Sequence, residues 1–340
     1  MTVRIGINGF GRIGRMFARA ALSRDEVSVV ALNDLTSPEV NAHLLAHDST
    51  QGRLPADVRV TPAGIAVGDH TIKVLSERDP KALPWAELGV DVVIESTGLF
   101  RDREAAAAHL EAGASRVVIS APGKGVDATF VVGVNDDTFD PTRHTVVSNA
   151  SCTTNCFVPM VKVLDDAFGV RQGLMTTAHA YTNDQNLLDL THSDLRRARA
   201  AAVNIVPSST GAARATGLVL QAMEGRLDGM SLRVPVACGS ITDFTAILGA
   251  EVDPGTVNAA FAAAAASGPL AGVLEYSEEP LVSTDIVGSP ASCTFDAPLT
   301  MAMPTDDGGT LAKVFGWYDN EWGYSHRLVD IAAIVGRGQG

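Results

Sequence analysis

The sequence predicts an α/β protein in two parts: a doubly wound, mostly parallel sheet, then an α+β part whose sheet is mixed and largely antiparallel. Three observations predict this. Apolar runs of strand length alternate with helix-period stretches between Val3 and Ala121, as expected of strands covered on both faces by crossover helices. A glycine-rich turn stands between the first strand and the first helix. After about Asn149 the character changes, and residues 230–250 and 271–318 alternate apolar and polar side chains as antiparallel strands do.

The elements follow in order. VRIGIN, Val3–Asn8, is a strand, and Gly11 to about Ser23 is a helix with Ile13, Phe17 and Ala21 on one face. VSVVALN is the second strand. A helix follows near Pro38–His47, with Ser37 as N-cap and Pro38 at its first position. Short strands punctuated by Gly and Pro run from about Arg53 to Leu75. VDVVIES is a buried strand, REAAAAHLEAG a helix stopped by Gly113, and SRVVISA the next strand. A helix starts near Cys152 and ends at about Phe168, and the strand GLMTTAHAY follows it. A polar and basic stretch from Thr182 to about Pro207 precedes the antiparallel region, which an Ala-rich helix near Pro254–Ala266 interrupts.

The 340 residues suit two domains on a soft prior of about 150 residues each. A net charge of −13 and the lack of a basic run argue against nucleic acid as the main partner. No stretch reaches the roughly 18 consecutive apolar residues of a membrane span. The N-terminus runs straight into a strand without the regions of a signal peptide, so a cytoplasmic location is expected. There Cys152, Cys156, Cys238 and Cys293 are expected as free thiols. No further ligands stand at metal-binding spacing around Cys152 and Cys156, and no metal is expected.

The first strand leads into Gly9-Phe10-Gly11-Arg12-Ile13-Gly14 and then a helix. This is the dinucleotide fingerprint of a Rossmann-type domain in its required context. Gly9 permits the tight turn, Gly11 lets the backbone approach a pyrophosphate, and Gly14 lets helix and strand pack closely. The helix N-terminus offers N–H groups and a positive dipole end to the phosphates. Asp34 ends the second strand about 20 residues past Gly14, where a carboxylate receives a ribose hydroxyl. An acid there favours NAD, because a 2′-phosphate would meet like charge.

SNASCTTNC places Cys152 just before an apolar helical pattern. A thiol at a helix N-terminus is expected to have a depressed pKa. Position alone leaves a buried structural cysteine as the commoner alternative. His179, in TTAHAYTND, ends a predicted strand. Alone it reads as a packing histidine; beside an activated cysteine it forms the thiolate–imidazolium couple of nucleophilic catalysis.

Fingerprint, nucleophile and base together resemble the phosphorylating glyceraldehyde-3-phosphate dehydrogenase family. The matching stretches span nearly the whole chain: INGFGRIGR, NDL, STGLF, SAPGKG, SNASCTTNC, YTNDQ, DLRRARAAA, SSTGAA, LRVPV and WYDNEWGYS. The resemblance implies a cytoplasmic, homotetrameric oxidoreductase of glycolysis or gluconeogenesis. It implies oxidation of D-glyceraldehyde 3-phosphate to 1,3-bisphosphoglycerate with reduction of NAD, through a thioester on Cys152. It gives Cys152 as nucleophile and His179 as acid–base partner. It sets Arg12, Ile13, Asp34, Arg78 and Ser120 along the dinucleotide and Asn320 on the nicotinamide carboxamide. It also implies that Ser151, Thr153, Thr182, Arg197, Thr210, Gly211 and Arg233 form two anion sites, one for the substrate's phosphate and one for inorganic phosphate. Hydroxyls, backbone N–H groups and arginine forks are what a tetrahedral dianion needs.

The resemblance further implies an NAD-binding domain of residues 1–151, rejoined by a C-terminal segment 318–340, and a catalytic domain of residues 152–317. The final helix, Trp322–Val335, carries Leu328, Ile331, Ala332 and Val335 on the side to be buried. Thr191 stands where NAD-specific members usually carry proline, so preference for NAD with some use of NADP is expected. Erythrose-4-phosphate dehydrogenases share the Cys–His core and are the alternative enzyme; a catalytically silent nucleotide-binding protein with secondary roles is the alternative outside enzymes.

Overall fold

The computed structural model describes residues 2–337. Two compact units divide them: residues 2–130, 136–151 and 325–337 form the first, and residues 131–135 and 152–324 the second. Residues 131–135 thus cluster with the second unit, although the sequence pattern placed them in the first. Of the C-terminal segment only residues 325–337 join the first unit; residues 338–340 lie outside the described residues.

In the first unit a sheet of nine strands runs Ala128–Thr129, Val146–Ser148, Arg116–Ile119, Val92–Glu95, Val3–Asn8, Val27–Asn33, His70–Leu75, Gly64–Val67, Val58–Thr61. Ala128–Thr129 through His70–Leu75 are parallel, and the last two pair antiparallel. The central strands are almost wholly buried, as covered parallel strands must be. Helix Arg12–Ala21 returns from the first strand, and helix Pro38–Ala46 is capped by the Ser37 hydroxyl, which accepts the Val40 N–H at 3.4 Å. The expected helix after Asp102 is broken at Ala107 into Arg103–Ala106 and Ala108–Glu111, with Gly113 at φ +100° beyond. The final helix, Trp322–Arg337, lies against the first strand so closely that a Cβ on Gly336 would fall 2.3 Å from the Val3 side chain.

The second unit is built on an eight-stranded mixed sheet. Its strands run in the order Val206–Ser209, Leu227–Val234, Val170–Ala180, Ser240–Leu248, Thr310–Tyr318, Cys293–Asp296, Leu274–Ser277, with Met301–Pro304 paired beside Thr310–Tyr318. Val170–Ala180 pairs parallel with Leu227–Val234, and Leu274–Ser277 pairs parallel with Cys293–Asp296. The remaining pairs are antiparallel. Helix Cys152–Phe168 packs on one face of this sheet through Phe157, Met160, Val161 and Leu164. Phe157 meets Phe244 edge-on at 4.8 Å, and Phe261 stacks on Phe295 at 3.7 Å between ring centres. The Phe157–Phe244 pair helps fix how helix Cys152–Phe168 sits on the sheet, and so where its first residue lies. Gly316 leaves room for three sulfur atoms: a Cβ there would fall 2.6 Å from both Cys293 Sγ and Met160 Sδ. Among the described residues no helix is long and apolar enough to cross a membrane.

Candidate active site

Cys152 opens helix Cys152–Phe168, two residues after Ala150, which takes φ +55° without being glycine. That left-handed turn is a costly conformation for a residue with a Cβ. His179 is the penultimate residue of Val170–Ala180. Its Nε2 lies 3.4 Å from Cys152 Sγ, so the pair expected from the sequence does meet. Parallel register puts Arg233 directly beside His179. Arg233 Nη1 donates to Ala180 O at 3.0 Å and lies 2.8 Å from His179 Nδ1.

Two contacts bear on the tautomer: Arg233 Nη1, which only donates, lies 2.8 Å from His179 Nδ1, and Ala180 O lies 2.6 Å from the same atom. The tautomer with its proton on Nδ1 donates to that carbonyl and leaves Nε2 to accept from the sulfur. Two buried groups and a cation decide the charge state. Burial pushes the Cys152 thiol up to about 11, although Arg233, the Thr153 hydroxyl and the backbone N–H groups of Thr153 and Cys152 all pull the other way. Burial, then Arg233, pushes His179 down to about 3. The expectation of a depressed thiol pKa is therefore corrected. The helix N-terminus acts in the expected direction, but desolvation outweighs it. Burial thus favours the uncharged form of each group, a thiol and a neutral imidazole.

Further hydroxyls surround the couple. Tyr318, fully buried, bonds Thr153 Oγ1 at 2.9 Å and Thr177 Oγ1 at 2.8 Å, and its ring meets His179 edge-on at 5.9 Å. Thr177 donates onward to Ile241 O at 3.1 Å. Burial and the nearby cysteines raise the Tyr318 pKa, so the phenol stays protonated. Thr153, expected in an anion site, has its hydroxyl engaged by Tyr318 and by the Cys152 sulfur. Ser240, opposite Tyr318 in the sheet, accepts the Ala180 N–H at 3.0 Å and donates to Asn320 Oδ1 at 3.0 Å. That bond turns the Asn320 amide nitrogen the other way. The sequence pattern did not single out Tyr318 and Ser240. Their signal, a hydroxyl on a strand otherwise buried by apolar residues, exists in the sequence but names no partner.

The remaining expected anion ligands are held within their own loops. Arg197 pairs with Asp184 and, at 3.4 Å, with Asp194. Thr210 Oγ1 accepts the Ala212 N–H at 3.2 Å, and Gly211 stands before helix Ala212–Val219. The Thr182 carbonyl accepts the Gln185 N–H at 2.9 Å, and Ser151 is half-buried beside Cys152. Of the seven, Thr153 and Arg233 make contacts with the Cys152–His179 couple itself.

In the first unit the glycine turn has the geometry a dinucleotide needs. Gly9 takes φ +91°, and a Cβ on Gly14 would fall 2.2 Å from Gly9 O. A Cβ on Gly11 would meet nothing within 4 Å, which leaves the backbone open to a ligand. The Asp34 carboxylate accepts the N–H of Phe10 at 2.8 Å and of Thr36 at 2.9 Å, one on each oxygen, and each oxygen retains a lone pair for a ribose hydroxyl. The Arg12 guanidinium pairs with the buried Asp48 at 2.9 Å, so its side chain serves the turn's own structure; Ile13 follows it on the half-buried first helical turn. Arg78 is exposed, and the Ser120 N–H donates to Glu95 O at 3.0 Å. These residues suit NAD.

Residues 3–103 match the family glyceraldehyde 3-phosphate dehydrogenase, NAD binding domain, and residues 151–320 match its C-terminal domain. The chain is 59% identical to glyceraldehyde-3-phosphate dehydrogenase 2 of Streptomyces arenae over 337 residues, 99% of each chain. It is 56% identical over 335 residues to glyceraldehyde-3-phosphate dehydrogenase of Geobacillus stearothermophilus, 98% of each, and 56% identical over 344 residues to that of Mycobacterium avium, 99% of each.

Proposed function

The chain belongs to the glyceraldehyde-3-phosphate dehydrogenase family, and from that premise we propose how its residues carry the reaction. It is an NAD-dependent oxidoreductase acting on an aldehyde, and its substrate is D-glyceraldehyde 3-phosphate. The observation that carries the reading is the 3.4 Å approach of Cys152 Sγ to His179 Nε2.

Cys152 sulfur attacks the aldehyde carbon while its proton passes to His179 Nε2. That proton then goes to the new oxyanion, and a hemithioacetal forms. Nε2 next takes the hydroxyl proton as hydride leaves the carbon, which yields a thioester on Cys152. NAD, when bound, would supply the hydride acceptor, and Gly9, Gly11, Arg12, Ile13, Gly14, Asp34, Arg78, Ser120 and Asn320 would hold it. Monohydrogen phosphate attacks the thioester carbonyl and loses its proton to solvent; the C–S bond breaks, the acyl phosphate departs, and the thiolate takes the proton that His179 carries. The Cys152 N–H and His179 stabilise the oxyanion.

Arg233 gives substrate binding a second role. A phosphate brought to that guanidinium offsets the cation that depresses His179. The imidazole pKa then rises, and the base strengthens when substrate arrives. Ser151, Thr153, Thr182, Arg197, Thr210 and Gly211 complete the two anion sites, and Arg197 must exchange its loop carboxylates for an anion. Leu187, Leu188, Leu190, Leu195, Val203 and Ile205 are exposed in the segment 182–207, which supports burial between subunits of a homotetramer. We place the enzyme in the cytoplasm and in glycolysis or gluconeogenesis. Thr191 is exposed, which supports some use of NADP beside preferred NAD.

The test is NADH formation from glyceraldehyde 3-phosphate with and without phosphate or arsenate. Turnover independent of either anion would overturn the phosphorylating reading. Light scattering on the purified protein should give the mass of four chains.

A further inference from the structure

Buried polar side chains form a second cluster, within the first unit. The registers Asn8↔Asn33 and Asn8↔Glu95 put three polar residues in one row across the carboxyl ends of neighbouring parallel strands. Trp85 Nε1 donates to His109 Nδ1 at 3.0 Å, so the ring proton is on Nε2, which donates to Glu95 Oε2 at 3.0 Å. Asn8 Nδ2 donates to the same oxygen at 2.7 Å. Glu95 Oε1 accepts the Thr97 N–H at 2.8 Å and the Thr97 hydroxyl. Asn8 Oδ1 accepts from Asn33 Nδ2 at 2.8 Å, and Asn33 Oδ1 accepts the Glu77 N–H at 2.8 Å. Every group facing the Glu95 carboxyl is a donor, so both of its oxygens serve as acceptors.

We infer that Trp85, His109 and Glu95 form a positioning relay that holds the glycine turn in its cofactor-binding shape. This rests on the NAD-dependent reading and deepens it. The link to the turn is short. A Cβ on Gly9 would fall 2.6 Å from Thr97 N, so the Thr97 backbone is the wall against which the turn packs. The neighbouring Ser96 hydroxyl donates to Gly9 O at 2.6 Å, and the Gly9 N–H donates to Asn33 O at 2.9 Å. Glu95 anchors Thr97 twice and orients Asn8, which orients Asn33, whose neighbour is Asp34. A buried polar network of this kind adds little stability compared with apolar packing. What it adds is a fixed direction for two amides and one loop at the edge where the dinucleotide lies.

The test uses the full-length protein and calorimetric titration with NAD. Glu95→Gln keeps the shape but turns one acceptor into a donor that faces donors. We expect the NAD dissociation constant and KM for NAD to rise about tenfold, the loss of one buried hydrogen bond. KM for the aldehyde and the iodoacetamide labelling rate of Cys152 should stay within about twofold. His109→Phe should weaken NAD binding, and His109→Gln, able to accept from Trp85 and donate to Glu95, should recover most of it. Val118→Ala, a core lesion of the same unit, is the control for stability. NAD affinity unchanged in Glu95→Gln and His109→Phe, or lost equally in Val118→Ala at the same fall in Tm, would overturn the relay. Wild-type protein that fails to bind NAD would instead overturn the cofactor reading, because wild type and variants would then fail alike.

Discussion

Replacing Arg233 by leucine removes one charge from the catalytic couple and should move two titrations in the same direction. Arg233 Nη1 lies 2.8 Å from His179 Nδ1. After burial, this cation is the next influence holding the imidazole down to about 3, and it is the foremost of those that oppose burial at the Cys152 thiol. Coulomb's law at that separation gives about 6 kcal/mol with an effective dielectric constant of about 20. Delocalisation of the charge and the burial that remains reduce this, so a rise of about 1–2 pH units is expected at His179. The sign at the imidazole is upward, because the protonated ring no longer meets a cation. The sign at the thiol is also upward from about 11, because the thiolate loses its nearest positive charge. NMR of isotope-labelled histidine as the pH falls reads the first. The labelling rate with iodoacetamide, an uncharged reagent that needs no anion site, reads the second. It should fall about tenfold for each pH unit by which the thiol titration rises. A thiol that labels faster in the variant, or an imidazole that titrates lower still, would refute the reasoning. So would a wild-type His179 that titrates at its ordinary value of 6.5.

Three further outcomes are expected. Gly14→Ala would force a Cβ to within 2.2 Å of Gly9 O; the turn must open, and NAD affinity by titration should fall more than about tenfold. Burial of the Asp127 carboxyl is outweighed by donation from Val146 N–H, Arg103 and Thr145, which brings it from 3.8 to about 2. The folded-state value is the depressed one, so this contribution of about 2 kcal/mol is present in full above pH about 4 and is lost as pH falls through about 2. Asp127→Asn should therefore lose about that much in urea unfolding at neutral pH and nothing in strong acid. Gly316→Ala drives a methyl into the sulfur atoms of Met160 and Cys293 and should cost about 1–3 kcal/mol by the same unfolding measurement.

The glycine turn was legible because each glycine answers to one local constraint, and those constraints are set by the chain itself. The Cys152–Phe168 helix was legible for a similar reason, since small polar residues stop where an apolar period begins. The split at Ala107 was not: an alanine at ψ −15° tightens one turn without any change in propensity. The direction of the Cys152 pKa shift differs from the sequence expectation because helix position is written in the sequence and burial is not. Strand register is equally invisible. It alone puts Arg233 beside His179 and Tyr318 opposite Ser240. The arginine-rich stretch suggested anion ligands, yet Arg197 and Arg199 pair with Asp184, Asp194 and Asp189 of their own segment. A side chain's charge could be read from the sequence, but which neighbour answers it depends on how the loop closes.

The Ser240 hydroxyl stands between the amide of Asn320 and the N–H of Ala180, a residue whose carbonyl lies 2.6 Å from His179 Nδ1. A residue expected to hold the oxidant's ring and the residue that moves the proton are therefore joined through one oxygen atom. Their substitutions should not behave as independent lesions: in a double-mutant cycle Asn320→Ala and His179→Ala should show a sizeable interaction energy. A kinetic defect at either position would partly belong to the other, so assigning one of them to binding and the other to chemistry would misattribute the loss.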